Sequence, residues 1–299
     1  MSQSLSESQI DSLIIGIKKT VNENYVLSDK AKLISDSLLS NNYYHIENND
    51  TLVKTLNEDF FRLVNDKHLF IQYKPTVAEN LLNKKDIYKE QNLKEKRDHY
   101  GFEKQKILKG NIGYFKLKYF ADASHAKKFV VKYVQRLHKT SALIIDAREN
   151  LGGSGSMLQL LTGLFLDGTE NDILKINYKS GRVVTMKSTQ IDSSKKYLNK
   201  PIYILCSKQT FSAGEAFGLI MKNRGRAILV GDTTAGAGNV AGPHAINNQF
   251  VLTVPAGIIV DPLTNKGWEH DGVIPNIIVD PSMALDKSLQ LALEALNTK

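Results

Sequence analysis

Cysteine is almost absent from this 299-residue sequence, since Cys206 is the single one. One cysteine excludes an internal disulfide framework and a cysteine-based zinc cluster. No His-x-x-x-His pair is present to hold a metal ion on one helix face. No run approaches the roughly 18 consecutive apolar residues of a membrane-spanning helix. The sequence therefore predicts no disulfide, no metal site and no membrane span, and Cys206, within an apolar strand, is expected in the core.

The first residues lack the features of an export signal. The segment MSQSLSESQID has neither a basic region nor an apolar stretch, so we predict no signal peptide within it. The same polar start is typical of a mature chain from which a signal has been removed. A cytoplasmic and an exported (periplasmic or extracellular) location therefore both stay open.

The positive charges lack the clustering of a nucleic-acid-binding surface. The formal net charge is +8, but the lysines come as scattered pairs without interleaved aromatic residues. These pairs are Lys18-Lys19, Lys84-Lys85, Lys127-Lys128 and Lys195-Lys196. Solvated faces explain such pairs better than a groove that follows a phosphate backbone. We therefore predict no nucleic-acid partner.

The periodicity of apolar residues predicts two parts of the chain. Residues 8–66 carry helical stripes and predict a three-helix bundle, and the pattern switches to a strand after a corner that holds His68. Residues 80–110 are rich in lysine, asparagine and glutamate and predict a surface excursion with a hairpin. From residue 111 onward, strands and helices alternate, which is typical of layered α/β proteins. We therefore expect a helical bundle over residues 1–75 and an α/β core over residues 76–299.

The stretch QTFSAGEAF at residues 209–217 offers a nucleophile or a helix cap. Ser212 and Glu215 have the spacing of a capping box ahead of an amphipathic helix. A buried strand over residues 202–206 precedes them. Ser212 is therefore expected at a strand-to-helix turn, where the helix-terminal N–H groups can also stabilise an oxyanion. The local sequence favours the cap and leaves both interpretations open.

Two glycine-rich loops follow predicted strands. In the first, Gly152 and Gly153 can bring backbone N–H groups close to a ligand because they have no Cβ atom, and Asp146 and Arg148 are expected to brace that loop as an ion pair. The second loop, residues 231–238, imitates a dinucleotide loop, but no helix follows it. The sequence therefore predicts no nucleotide cofactor. An α/β-hydrolase elbow is disfavoured too, because that motif requires glycine where Thr210 stands.

Together and in order, these stretches resemble the S41 family of serine peptidases, the tail-specific and C-terminal-processing group. The resemblance is closest to the branch of tricorn-like enzymes and interphotoreceptor retinoid-binding protein repeats. The carrying stretches are residues 66–69, 111–114, 146–153, 210–215, 231–236 and 267–275. The resemblance implies a crotonase-like α/β core with a helical N-terminal piece, so that residues 76–299 would be the peptidase core.

Two departures from the family pattern select the branch. The processing peptidases carry a lysine base in Thr-x-Gly-Lys-Gly, and Ala237 stands in that place here. Only about forty residues separate His68 from Asn111, too few for the PDZ domain of those enzymes, because domains rarely fall below about 50 residues. In tricorn-like enzymes a serine before the histidine relays to the glutamate, whereas here that neighbour is Lys67. The histidine branch therefore remains, with its relay in question.

The resemblance implies a serine peptidase that acts on small unfolded peptides or protein tails. It assigns Ser212 as nucleophile, His68 as base and Glu269 as the acidic partner, with His244 and His270 as rival sources of the imidazole. The backbone N–H groups of Gly152, Gly153 and Ala213 would form the oxyanion hole. The alternative is a non-proteolytic protein of the same fold that binds a hydrophobic, retinoid-like or lipid-like ligand. A homo-oligomer stays open.

Overall fold

The computed structural model describes residues 5–84, 88–103, 105–168 and 171–297. The chain divides into two compact units. Unit 1 comprises Met1–Lys89, Ile176–Val183 and Asn239–Ile259, and unit 2 comprises Glu90–Lys175, Val184–Gly238 and Val260–Lys299. The predicted division between residues 75 and 76 stays a prediction.

The α-helices of the described residues are α1 (Glu7–Asn24), α2 (Ser28–Ser40), α3 (Asn49–Val64), α4 (Pro75–Leu82), α5 (Tyr88–Arg97), α6 (Ala123–Gln135), α7 (Gly155–Phe165), α8 (Ala213–Asn223) and α9 (Ala284–Asn297). The strands are β1 (Phe70–Tyr73), β2 (Lys106–Leu108), β3 (Ile112–Lys116), β4 (Ala142–Asp146), β5 (Asp172–Tyr178), β6 (Val183–Lys187), β7 (Ile202–Cys206), β8 (Ile228–Gly231), β9 (Asn239–Ala245), β10 (Phe250–Val260) and β11 (Ile277–Ile278).

Unit 1 packs helices on an antiparallel sheet. The apolar stripe of α1 is buried, and it shares one core with α2, α3, β1 and β10. In the sheet, β10 pairs with β1 and β9, and the ends of β5 and β6 that fall in this unit continue the order β1-β10-β5-β6. The predicted three helices and the strand after the His68 corner are therefore confirmed.

The corner that carries His68 is built by the end of α3. Asn65 caps this helix in the left-handed conformation, with φ 50°, and its N–H donates to the carbonyl of Phe61. Asparagine is one of the few residues besides glycine that adopt this conformation readily. The chain then turns at residues 66–68 and enters β1, which pairs with β10.

Unit 2 is built on a six-stranded sheet of order β11-β8-β7-β4-β3-β2. Strands β3, β4, β7, β8 and β11 run parallel, and β2 is antiparallel to β3. Every residue of β4 and β7 is buried, as expected for parallel strands in a layered α/β protein. Cys206 lies in this core, where burial raises the pKa of its thiol to about 12.

The register of the parallel strands places the functional loops. Strands β4, β7 and β8 are neighbours, and they end at Asp146, Cys206 and Gly231. Their carboxyl ends lie side by side, because Asp146 pairs with Leu205 and Cys206 pairs with Gly231. Ligands of open α/β sheets bind at this edge. The loops that begin there contain Gly152, Ser212 and the glycine loop over residues 236–238.

The predicted fold class, α/β with a helical N-terminal region, is confirmed. One local prediction was incomplete: within residues 80–110 only β2 is a strand, and its hairpin partner β3 lies beyond that stretch, while Tyr88–Arg97 form helix α5 instead of an irregular excursion. The sequence of α5 is almost entirely polar, so it has no apolar stripe that would reveal a helix. Residues 85–87 and 104 of this stretch lie outside the described residues.

Candidate active site

Ser212 lies at the turn between β7 and α8 in a conformation that non-glycine residues avoid. Its φ is 50° and its ψ is −120°, and it is the N-cap residue of α8. Such a backbone costs of order 1–3 kcal/mol and persists only when its surroundings impose it. The residue is half-buried. A strained serine on a strand-to-helix turn is also the geometry of a nucleophile elbow, although the Gly-x-Ser-x-Gly sequence is absent.

Hydrogen bonds on both sides impose the turn. The N–H of Phe211 donates to the carbonyl of Asn150 at 2.8 Å, and the N–H of Gly214 donates to the carbonyl of Phe211 at 2.9 Å. The N–H of Ser212 donates to the Glu215 carboxylate at 2.7 Å. This last bond is the half of the predicted capping box in which Glu215 reaches back to the cap residue.

Glu215 joins the serine turn to the glycine loop after β8. Besides the Ser212 N–H, its carboxylate accepts the Thr234 hydroxyl at 2.6 Å, the Gly236 N–H at 2.6 Å and the Ala237 N–H at 2.9 Å. The side chain is 0% exposed. A carboxylate offers about four acceptor positions, so the four donors fill it.

Burial and hydrogen bonding act on Glu215 in opposite directions. Burial raises the pKa of Glu215 above its ordinary value, and the four donated hydrogen bonds oppose that rise. The geometry accommodates the ionised form, because all four partners are donors. Thr234 also accepts the N–H of Val273 at 2.7 Å, so its own hydroxyl proton is the one that points to Glu215.

The glycine loop after β4 lies directly against the serine turn. A Cβ atom on Gly152 would come within 2.8 Å of the Ser212 Cβ and 3.0 Å of the Ala213 nitrogen, and φ of Gly152 is +76°. Only glycine permits this approach. The N–H of Gly152 donates to the Asn150 side chain at 2.9 Å. Within the described residues, the N–H groups of Gly153 and Ala213 have no acceptor.

The Glu269 carboxylate binds the same glycine loop that Glu215 binds. The carboxylate accepts the N–H of Gly238. Gly238 follows Ala237, whose N–H donates to Glu215. The indole of Trp268 donates to the Ala237 carbonyl at 3.1 Å. Within unit 2, the structure therefore connects Ser212, Glu215, the loop over residues 236–238 and Glu269 through consecutive hydrogen bonds.

The rival His270 also lies in unit 2. Its Nδ1 atom is 3.8 Å from Oε1 of Glu269, and its N–H donates to the carbonyl of Gly236 at 3.0 Å. Its backbone is left-handed, with φ 69°. The other rival, His244, lies in β9 of unit 1 opposite Leu252, and burial lowers its pKa.

His68 is buried in unit 1 beside Asp66. The backbone N–H of His68 donates to the Asp66 carboxylate at 2.9 Å, and this bond stabilises the corner. Asp66 also accepts the Tyr25 hydroxyl and the Asn239 amide, each at 3.1 Å. Burial lowers the pKa of His68, and the charge of Asp66 partly offsets that effect. A lowered pKa favours the neutral imidazole, the form that can accept a proton.

The predicted ion pair between Asp146 and Arg148 is confirmed. The guanidinium binds the carboxylate in a two-pronged manner, at 2.9 and 2.6 Å, and also donates to the carbonyl of Pro281 at 2.6 Å. The ion pair lowers the pKa of Asp146. Burial and the Asp146 carboxylate raise the pKa of Tyr114, whose hydroxyl donates to that carboxylate. This cluster braces the end of β4, where the glycine loop starts.

Sequence models of known families match nearly the whole chain. The model of peptidase family S41 matches residues 111–279. Residues 5–98 match the model described as the N-terminal domain of Peptidase_S41 in eukaryotic IRBP. The chain belongs to peptidase family S41. The family predicted from the short motifs is therefore confirmed.

Two of the similar curated proteins are named as processing peptidases, one chloroplastic and one bacterial. The chain is 28% identical over 153 residues to carboxyl-terminal-processing peptidase 1, chloroplastic, of Arabidopsis thaliana, covering 51% of this chain and 30% of that protein. It is 28% identical over 172 residues to the carboxy-terminal processing protease CtpA of Bacillus subtilis, covering 56% of this chain and 34% of that protein. The chain thus matches about a third of their length.

Solved structures share the fold of this S41 chain. A lipoprotein from Streptococcus agalactiae superimposes with a TM-score of 0.64 at 16% identity, covering 99% of this chain and 98% of that one. A photosystem II D1 C-terminal processing protease superimposes with a TM-score of 0.59 at 13% identity, covering 91% and 93%. At this identity the likeness concerns the fold alone.

Two side chains of the site received no functional role from the sequence. Asn150 was visible only as part of a motif, although an asparagine two residues before a glycine is a signal for a side-chain turn onto the backbone N–H. Glu215 was expected only as a capping residue. Its partners Thr234, Gly236 and Ala237 lie too far along the chain for a local pattern to reveal them.

Proposed function

We propose that the chain is a serine peptidase in which Ser212 is the nucleophile and His68 is the base. The observation that carries the proposal is the strained, half-buried Ser212 at the strand-to-helix turn of an S41 chain. A helix cap alone does not require φ of 50°, because N-cap residues ordinarily adopt an extended backbone. The strain is accounted for if the turn serves to present the hydroxyl.

The proposed reaction has two stages. The Ser212 hydroxyl attacks the scissile carbonyl while His68 takes its proton, and Glu269 supports the imidazolium that forms. The proton then passes to the leaving amine as the C–N bond breaks. Water, deprotonated by the same imidazole, then attacks the acyl carbon. The bond from that carbon to Oγ of Ser212 breaks, the imidazolium returns its proton to Oγ, and the second product leaves.

We assign the oxyanion hole to the N–H groups of Gly153 and Ala213, which lack acceptors within the described residues. Gly152 was predicted as a third donor, but its N–H already donates to Asn150. In this proposal Gly152 contributes by its close approach to Ser212. One lost oxyanion donor typically costs about 2.7–4 kcal/mol of activation free energy.

A lysine base has no support at the position where other S41 peptidases carry one. Ala237 occupies that position and is 1% exposed, with its N–H on Glu215 and its carbonyl on Trp268. The methyl side chain offers no amine. An imidazole base follows from this substitution together with the family motif around His68.

We propose small unfolded peptides or protein tails as substrates, in keeping with the names of the processing peptidases to which the chain is similar. Within the described residues, no helix combines the length and the apolar character that crossing a membrane requires. The association of copies of the chain into a homo-oligomer stays a prediction.

The first prediction is that the protein cleaves unstructured peptides and that Ser212→Ala abolishes the cleavage. Products are identified by mass spectrometry from a mixture of peptides with free C-termini. Equal cleavage by wild type and Ser212→Ala would contradict the nucleophile assignment. If the wild type cleaves nothing but binds a fluorescent fatty acid or retinoid saturably, the hydrophobic-ligand alternative replaces the peptidase.

A further inference from the structure

Asn150 connects the three segments that form the serine side of the site, all within unit 2. Its Nδ2 group donates to the carbonyl of Leu117 at 2.8 Å, just after β3. Its Oδ1 atom accepts the N–H of Gly152 at 2.9 Å. Its backbone carbonyl accepts the N–H of Phe211 at 2.8 Å, on the serine turn. The residue is 0% exposed.

The first turn of α8 is shaped around this side chain. A Cβ atom added to Gly214 would lie 2.6 Å from Oδ1 of Asn150 and 3.0 Å from its Cγ atom. The φ of Gly214 is not in the left-handed region, so the backbone conformation does not explain the glycine. The close approach to Asn150 does, and it lets the helix terminus carrying the Ala213 N–H approach the loop carrying Gly152.

We propose that Asn150 is a positioning residue that holds the Gly152-Gly153 loop against the Ser212 turn, so that the N–H groups of Gly153 and Ala213 converge on one oxyanion. This inference rests on the proposed function. Asn150 itself does not contact substrate in this account, because its amide is buried and both its polar ends are engaged by backbone groups.

Alanine at position 150 removes both side-chain bonds and releases the loop. The Gly152 N–H then loses its partner, and the glycine loop can shift relative to the serine. A misplacement of about 1 Å can cost up to about 100-fold in turnover. Because the oxyanion forms only in the transition state, kcat should fall by about 10- to 100-fold while KM changes little.

The test compares Asn150→Ala with a matched asparagine at the other end of α8. Asn223 is half-buried, and its amide donates to Asp261 at 2.8 Å, so Asn223→Ala also deletes an asparagine hydrogen bond. kcat and KM are measured with a peptide ester, and the urea midpoint reports stability. The inference predicts a kcat loss for Asn150→Ala alone, and equal kcat in both variants and the wild type would overturn it.

A second pair keeps the inference testable if Asn150→Ala does not fold. Gly214→Ala pushes a methyl group against Oδ1 of Asn150, whereas Gly218→Ala, on the same helix, meets only the flexible Leu229 side chain at 3.2 Å. Both changes raise helix propensity. We expect a lower kcat and faster amide exchange at Gly152 in Gly214→Ala only, and unchanged values there would overturn the inference.

These outcomes separate the inference from the proposed function. A wild type that neither hydrolyses the ester nor cleaves peptides contradicts the peptidase proposal itself. A wild type that turns over while Asn150→Ala and Gly214→Ala match it contradicts only the role of Asn150. A rise in KM with unchanged kcat in Asn150→Ala would mean that Asn150 shapes the substrate pocket, and this result too overturns the inference.

Discussion

Glu215 accepts four hydrogen bonds in the interior of unit 2, and this number determines how it responds to substitution. In Glu215→Gln, one carboxylate oxygen becomes an NH₂ group that faces two donors. The pair it would face is either the N–H groups of Ser212 and Ala237 or the Thr234 hydroxyl and the Gly236 N–H. Each buried donor left unsatisfied costs about 1–3 kcal/mol.

We therefore expect Glu215→Gln to lower the free energy of unfolding by at least about 2 kcal/mol. The measurement is urea unfolding with an unchanged m-value. Glu149→Gln is the control, because the Glu149 side chain is 56% exposed and its partner Lys116 is 17% exposed. Pairs with an exposed carboxylate contribute at most about 1 kcal/mol. Equal midpoints for the two variants would mean that the Glu215 carboxyl is protonated in the folded protein.

Local sequence patterns predict some of these side-chain contacts and cannot predict others. The capping pair Ser212 and Glu215 spans only four residues of sequence, and the expected bond from the Ser212 N–H to the Glu215 carboxylate is present. The ion pair of Asp146 and Arg148 is equally local. The bonds from Glu215 to residues 234–237 depend instead on strands β7 and β8 lying side by side, which becomes visible only when the sheet is assembled.

The turn between β7 and α8 concentrates the strain of the site. Alanine at position 212 keeps the unfavourable φ of 50°, whereas glycine adopts positive φ readily. Glycine relieves a backbone strain of order 1–3 kcal/mol. Against this gain, glycine makes the unfolded chain more flexible, which costs about 0.4–1 kcal/mol of stability relative to alanine. The balance favours glycine.

Ser212→Gly should therefore be more stable to unfolding than Ser212→Ala by about 1 kcal/mol. Both variants lack the hydroxyl, so both should be inactive, and stability is the quantity that separates them. Urea midpoints measured side by side provide the comparison. An alanine variant as stable as the glycine variant would show that the backbone at this turn is not strained.

The strands and helices follow from the sequence where their apolar patterns are strong. Helices α1 and α3 lie within or beside the helical stretch predicted over residues 8–66, and β7 matches the strand predicted over residues 202–206. Helix α5 matches no predicted helix, because its residues are almost all polar and carry no periodic signal. Strand β9 is a further case: Gly242 and Pro243 interrupt its sequence, and only pairing with β10 reveals it as a strand.

The two units differ in what they contribute to the proposed reaction. Unit 2 holds Ser212, Glu215 and Glu269, arranged by three loops at the carboxyl edge of its sheet. Unit 1 holds His68 at a corner fixed by Asp66. The family resemblance assigns Ser212, His68 and Glu269 in the order of the motifs along the chain, and it gives Glu215 no role in the reaction. Local sequence alone could not choose among the histidines, because the corner of His68 has no pattern that marks a base.

Fluorophosphonate labelling as a function of pH tests the central claim that Ser212 is a nucleophile activated by a histidine. The reaction forms an Oγ–phosphorus bond and expels fluoride, and the base takes the serine proton. Only neutral imidazole can do so. Burial holds the pKa of His68 below its ordinary value of about 6.5. The rate should therefore rise with pH through a midpoint below that value and be lost as the pH falls through it.

The label is located by mass spectrometry of the proteolysed protein, with His68→Ala and His270→Ala beside the wild type. The account predicts phosphonylation at Ser212, a severe loss of rate in His68→Ala, and a near-normal rate in His270→Ala. Labelling at another residue, or none at any pH, would contradict the serine nucleophile. A normal rate in His68→Ala with loss in His270→Ala, or a midpoint near the lysine value of about 10.4, would contradict the histidine base assigned here.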